Sequence, residues 1–119
     1  MVALGDDICA VMSHDSALAG GLQQYAWQEK DYIWQLPLFT KYAEQLKSTI
    51  ADCINCSTTG KAGTITAALY LAKFVPETVK WLHIDTPGSF DNALNGRETG
   101  GDVPGIRAMY GYLRQLLAF

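Results

Sequence analysis

His83 and Asp85 have the types and spacing from which a reactive site could be built. They lie two residues apart in Trp81-Leu82-His83-Ile84-Asp85-Thr86-Pro87-Gly88, which reads as a buried strand running out through an Asp and a Gly into a loop. Residues two apart on a strand share a face. An imidazole and a carboxylate so placed suit metal ligation or an acid/base pair. A third partner is missing, because no other His, Cys or carboxylate is marked by spacing or motif. The simpler reading is a half-buried His satisfied by hydrogen bonds and an Asp capping the following turn.

Other groupings are weaker. Cys53-Ile54-Asn55-Cys56 has the spacing of half a zinc site, but a structural zinc needs about four ligands and no second Cys pair exists. A thioredoxin-like redox motif would sit at a strand-to-helix junction with an aromatic before its first Cys, where this chain has Asp52. Gly60-Lys61-Ala62-Gly63-Thr64 opens a helix, and helix N-termini attract anions, yet the P-loop spacing is absent. A tight loop-to-helix turn fits better. Gly96-Arg97-Glu98-Thr99-Gly100-Gly101 sets an Arg ahead of a helix, to hold a carboxylate or phosphate or only to turn the chain. No Gly-x-Ser-x-Gly and no His-Glu-x-x-His occurs.

These residues belong to a chain of 119, with 49% hydrophobic and 18% charged residues. That is the balance of a soluble globular domain with its own core, and one domain spanning 1–119 is expected. The net charge is −3 and the basic residues are scattered, so no nucleic-acid footprint is expected. No apolar run approaches the ~20 residues that span a bilayer, so no membrane association is expected. The first residues carry no basic n-region of a signal peptide. Three cysteines in a chain that needs no staples point to a reducing, cytoplasmic setting.

The elements that must position these groups follow from periodicity. Ile8–Ser13 is a strand-length apolar run. Leu18, Leu22, Tyr25 and Ala26 recur at helical spacing, predicting a helix from about Asp15 to about Lys30 that Gly20-Gly21 should soften or bend. Tyr32–Leu38 is extended, and Pro37 makes it an edge strand, a strand end or a connector. Thr40 should cap a helix carrying Tyr42, Ala43, Leu46 and Ile50. Ile65, Leu69 and Ala72 predict an Ala-rich helix ending near Phe74, apolar nearly all round and so central. After the Trp81–Asp85 strand and a loop over 91–101, Asp102 should cap a last helix with Ile106, Met109, Tyr110, Leu113 and Leu117 on its apolar face. The order predicts an α/β domain with helices on a small mixed or parallel sheet.

The combination then resembles a known family. Trp34-Gln35-Leu36-Pro37-Leu38 with Tyr42, Gln45-Leu46-Lys47-Ser48 and Ala51-Asp52 is similar to a segment of the leucyl (cytosol) aminopeptidases. So are Ala62-Gly63-Thr64-Ile65-Thr66-Ala67-Ala68-Leu69, Trp81-Leu82-His83-Ile84-Asp85, and Ala3-Leu4-Gly5 with Asp7-Ile8-Cys9-Ala10-Val11-Met12-Ser13. The blocks keep the family's order and spacing over nearly the whole chain, yet cover only the last part of its catalytic domain.

The resemblance implies a partial three-layer α/β sandwich of the phosphorylase/hydrolase-like type. It implies kinship with hexameric two-metal peptidases that remove N-terminal residues from peptides, commonly with zinc or manganese. Family ligands are a lysine, several aspartates and a glutamate, upstream of the matching region and partly in an Asn-Thr-Asp-Ala-Glu-Gly-Arg block that also carries a catalytic arginine. That block is absent here. The resemblance therefore implies no catalytic and no metal-binding residue in this chain. Asp85 matches a residue that is not a ligand. Pro87 and Phe90 match positions lining the pocket for the substrate's first side chain. Thr86-Pro87-Gly88 departs from the usual Ile-Ala-Gly, and 89–105 departs from the usual Gly-Ala-Thr-Gly, with Thr99-Gly100 as its remnant.

Three expectations follow. The first is a C-terminal segment of such a peptidase, inactive alone, its peptide substrate and metals belonging to the complete enzyme. The second is a non-catalytic interaction or self-assembly module of the same fold, since uncovered sheet edges and apolar helix faces seek partners. The third is a small redox or metal protein using Cys53 and Cys56.

Overall fold

The computed structural model describes residues 3–93 and 96–118. Its centre is β1, Cys9–Met12, buried along its whole length. A strand covered on both faces reads as an unbroken apolar run, which is why 8–13 shows no alternation. Helix α1, Ser16–Gln28, follows and leads to β2, Ile33–Gln35. Strand β2 pairs parallel to β1, and β3, His83–Asp85, pairs antiparallel on the other side. The sheet is therefore mixed, in the order β2-β1-β3.

Helices cover both faces. Cys9 and Val11 point into a cluster with Ala19, Leu22 and Ala26 of α1, Ile33 of β2 and Ala108 of α3, Ile106–Leu117. Ala10 and Met12 point the other way, onto Ala68 of α2, Gly63–Ala72. This is the α/β/α layering and small mixed sheet that the sequence predicts. A two-stranded ribbon of β4, Ser89–Phe90, and β5, Gly100–Gly101, stands beside it, with β4 just before the loop expected over 91–101 and β5 at that loop's end. The radius of gyration is 15.4 Å, against about 13.5 Å for a globule of this length. The layers are thus spread wide and several apolar side chains stay in solvent.

Local signals account for most element ends. Asp15 caps α1 by accepting from the Leu18 amide at 3.0 Å, and this bond is the main cause of its lowered pKa, with nearby Lys80 contributing. Ala62 at φ 54° turns the chain into α2, as the tight-turn reading of 60–64 expects.

Several expectations need correction. Helix α1 runs unbroken through Gly20-Gly21; Gly21 lies where a side chain would run into Tyr112 of α3, whereas one at Gly20 would touch only Gln35. Residues Thr40–Leu46 form a 3-10 helix without a side-chain cap. Ile50 lies beyond it, 96% exposed. Helix α2 is buried on one face only, through Thr66, Ala68 and Leu69, while Leu71 is exposed. The last helix is not capped by Asp102, whose carboxylate accepts from the amide of its neighbour Val103. Buried Asp31 caps it instead, accepting from Gly105 N at 2.8 Å and Ala108 N at 3.0 Å. The predicted apolar face of α3 is also displaced. Ile106, Tyr110 and Leu117 are exposed, and Ala108, Met109 and Tyr112 make the contact with the core.

Candidate functional site

Strand β3 carries His83 and Asp85 on its α2 side, opposite Met12 and Ala10. The two share a face, as their spacing requires. Asp85 is engaged with α2, where the Thr64 hydroxyl donates to its Oδ2 at 2.6 Å. The carboxylate therefore ties β3 to the first turn of α2 rather than capping the turn after it. His83 is half-buried, and its Nε2 is buried without a hydrogen-bond partner. Burial holds the imidazole below its ordinary pKa of 6.5, opposed by the Asp85 charge. One imidazole and one carboxylate already engaged by Thr64 are too few for a metal's ligand set. Among the described residues, no group of three or more His, Cys, Asp or Glu could hold a metal ion, so the residues present do not fit a catalytic metal pair.

The chain leaves β3 through Thr86 and Pro87, turns at Gly88 with φ 73° and enters β4. Pro87 and Phe90 thereby come to line one open cleft of about 560 Å³, with Asp7, Asn92 and Arg97 on its other walls. Thr86 points inward beside Cys9. Burial raises the Cys9 thiol above its ordinary 9.0, with the Thr86 hydroxyl acting in the opposite sense, although that hydroxyl makes no hydrogen bond of good geometry. Cys53 and Cys56 are free thiols.

Arg97 is the charged residue at the centre of this region. Its Nη2 lies 3.1 Å from Asp7 Oδ1 and its Nε 3.9 Å from Asp102 Oδ2. Its guanidinium carbon sits 4.3 Å from the centroid of the Phe90 ring. Its Nη1 is buried without a partner. The sequence marks Arg97 only as an Arg among glycines. Its partner Asp7 lies ninety positions earlier, and nothing local announces that pairing.

Residues 1–110 match the cytosol aminopeptidase family, catalytic domain. The chain belongs to that family. The probable cytosol aminopeptidase of Chlorobium luteolum is 41% identical over 116 residues, covering 97% of this chain and 23% of that protein. That of Trichormus variabilis is 44% identical over 115 residues, covering 92% of this chain and 22% of that protein. Among solved structures, cytosol aminopeptidase from Coxiella burnetii superposes with a TM-score of 0.89 at 38% identity, over 96% of this chain and 25% of that one. The bottromycin maturation enzyme BotP in complex with Mn gives 0.85 at 32% identity, over 97% of this chain and 26% of that one. The chain thus spans less than a quarter of the length of the curated relatives named. Among the described residues no helix is long and apolar enough to cross a membrane.

Proposed function

We propose that this chain is the C-terminal segment of a two-metal leucyl-aminopeptidase-like peptidase. In the complete enzyme it supplies the wall of the pocket that receives the first side chain of a peptide, through Pro87 and Phe90. The observation that carries this is their meeting in one cleft within a chain that matches the catalytic domain throughout 1–110. The metal pair, zinc or manganese, would bind on sequence outside this chain, and the BotP complex with Mn is consistent with such a metal. Two metals would there polarise the scissile carbonyl and generate the attacking hydroxide. Relatives named cytosol aminopeptidases and three free thiols support action in the cytoplasm.

The isolated chain should hydrolyse no amino-acid amide or peptide with added zinc or manganese. Turnover abolished by a chelator would overturn this. A second role, self-association or docking, is favoured by the exposure of Ile106, Tyr110 and Leu117 along α3 and of Phe74 beyond α2 on the other side of the sheet, since exposed apolar surface seeks cover. Sedimentation at rising concentration should show association, and a clean monomer at high concentration would refute it.

A further inference from the structure

We propose that Arg97 is a positioning residue for the side-chain pocket, setting the place of Phe90 rather than touching substrate. This rests on the reading of Pro87 and Phe90 as pocket wall. Phe90 sits on a strand of two residues, and an isolated two-stranded ribbon is marginal in water. Cross-strand side-chain pairs normally hold such a ribbon. Here Ser89 faces Gly101 and Phe90 faces Gly100, so the partner strand offers no side chain to the ring. Arg97 supplies that surface, with its guanidinium over the ring at 4.3 Å.

The guanidinium is in turn fixed from two further segments. Asp7 reaches it from the approach to β1, and Asp102 from the exit of β5. Each ion pair is partly exposed and weak alone. Together they aim a planar cation at one ring face, a geometry that an ammonium on a flexible stem does not reproduce.

Two experiments test this. In the 119-residue chain, NMR should show the Arg97 Hε and Hδ resonances moved upfield by the Phe90 ring, and Phe90→Leu should abolish that shift. Unshifted resonances overturn the proposal. In a complete cytosol aminopeptidase carrying this chain as its C-terminal segment, selectivity is the ratio of kcat/KM for a large apolar first residue to that for alanine. Arg97→Gln and Arg97→Lys should each change it about three- to fivefold, in the direction given by Phe90→Ala. Arg97→Lys keeps the charge and should hold the Tm near wild type, which separates positioning from loss of fold. If Phe90→Ala changes selectivity and neither Arg97 variant does, Arg97 has no positioning role and the pocket reading stands. If Phe90→Ala also leaves selectivity unchanged, the pocket reading falls and the proposal with it.

Discussion

The paired glycines of α1 give a decisive test of how this fold is held. Helix propensity alone says that Gly20→Ala and Gly21→Ala should each stabilise by about 1 kcal/mol. Packing separates them. A Cβ at position 20 would meet only Gln35 Oε1, at 3.5 Å, an ordinary contact. A Cβ at position 21 would run into the Tyr112 hydroxyl and lie 3.0 Å from its Cζ and 3.2 Å from its Cε2. Tyr112 cannot swing away freely, because its ring packs on the core and its hydroxyl donates to Leu18 O at 3.2 Å. Moving it forfeits about 1 kcal/mol of hydrogen bond, and overpacking costs about 1–3 kcal/mol. Against the propensity gain, Gly21→Ala should lose about 1–3 kcal/mol while Gly20→Ala gains up to about 1. Urea melts followed by tryptophan fluorescence should show the two midpoints moving in opposite directions at unchanged slope, with Gly21→Ala down by about 1 M. Tyr112→Phe removes the hydroxyl that collides, so the Gly21→Ala penalty should shrink in that background. The interface is reciprocal, since a Cβ at Gly111 of α3 would meet the Tyr25 hydroxyl and lie 2.7 Å from its Cζ and Cε1. If Gly21→Ala stabilises as much as Gly20→Ala, the α1–α3 packing described here is wrong.

Two further outcomes follow from buried polar groups. Asp31→Ala removes both acceptors from the start of α3 and should cost about 2–3 kcal/mol, with Asp31→Asn costing about half as much, read as a lower denaturation midpoint and faster amide exchange at Gly105 and Ala108. His83 is neutral by preference in the fold because burial disfavours its charged form; the unfolded chain therefore binds more protons below its ordinary 6.5, so stability is full above that pH and falls as pH drops through the lower folded value. Between pH 7.5 and 5 the wild type should lose more stability than His83→Gln, and equal losses would show that the imidazole is not desolvated.

What the sequence made legible were features with a local cause. Asp15 stands next to the helix it caps, and β1 announces itself by an apolar run. Pro37 lies just past the end of β2 at Gln35, one of the places its missing amide allows, and glycine at 88 lies where the chain turns with positive φ. What it concealed has partners far along the chain. The α3 cap is Asp31, seventy-four positions before Gly105, and so Asp102, adjacent and of the right type, looks like the cap. Gly21 looks like a helix weakness until Tyr112 is placed against it. The exposed face of α3 reads as core because periodicity reports amphipathy and not what covers the apolar side. At the candidate site, the resemblance points to Pro87 and Phe90, whereas the Asp7–Arg97–Asp102 arrangement depends on a tertiary meeting of three loops.

The sheet edges show how this segment directs its own contacts. Strand β2 spends its inward groups on β1, through Cys9 N to Tyr32 O at 3.0 Å and Leu36 N to Val11 O at 2.9 Å. Its outward groups would form an adhesive edge, but α1 answers them. Gln23 accepts from Gln35 N at 2.6 Å, and the Trp27 indole donates to Ile33 O at 2.9 Å. Gln23 and Trp27 are one helical turn apart, so a single face of α1 does the work of a neighbouring strand. With that side closed, an extended segment that joined the sheet would have to do so along β3. That strand also leads directly into Pro87 and Phe90. A strand docked there would fix the end of β3, and through it the wall of the cleft that Pro87 and Phe90 line.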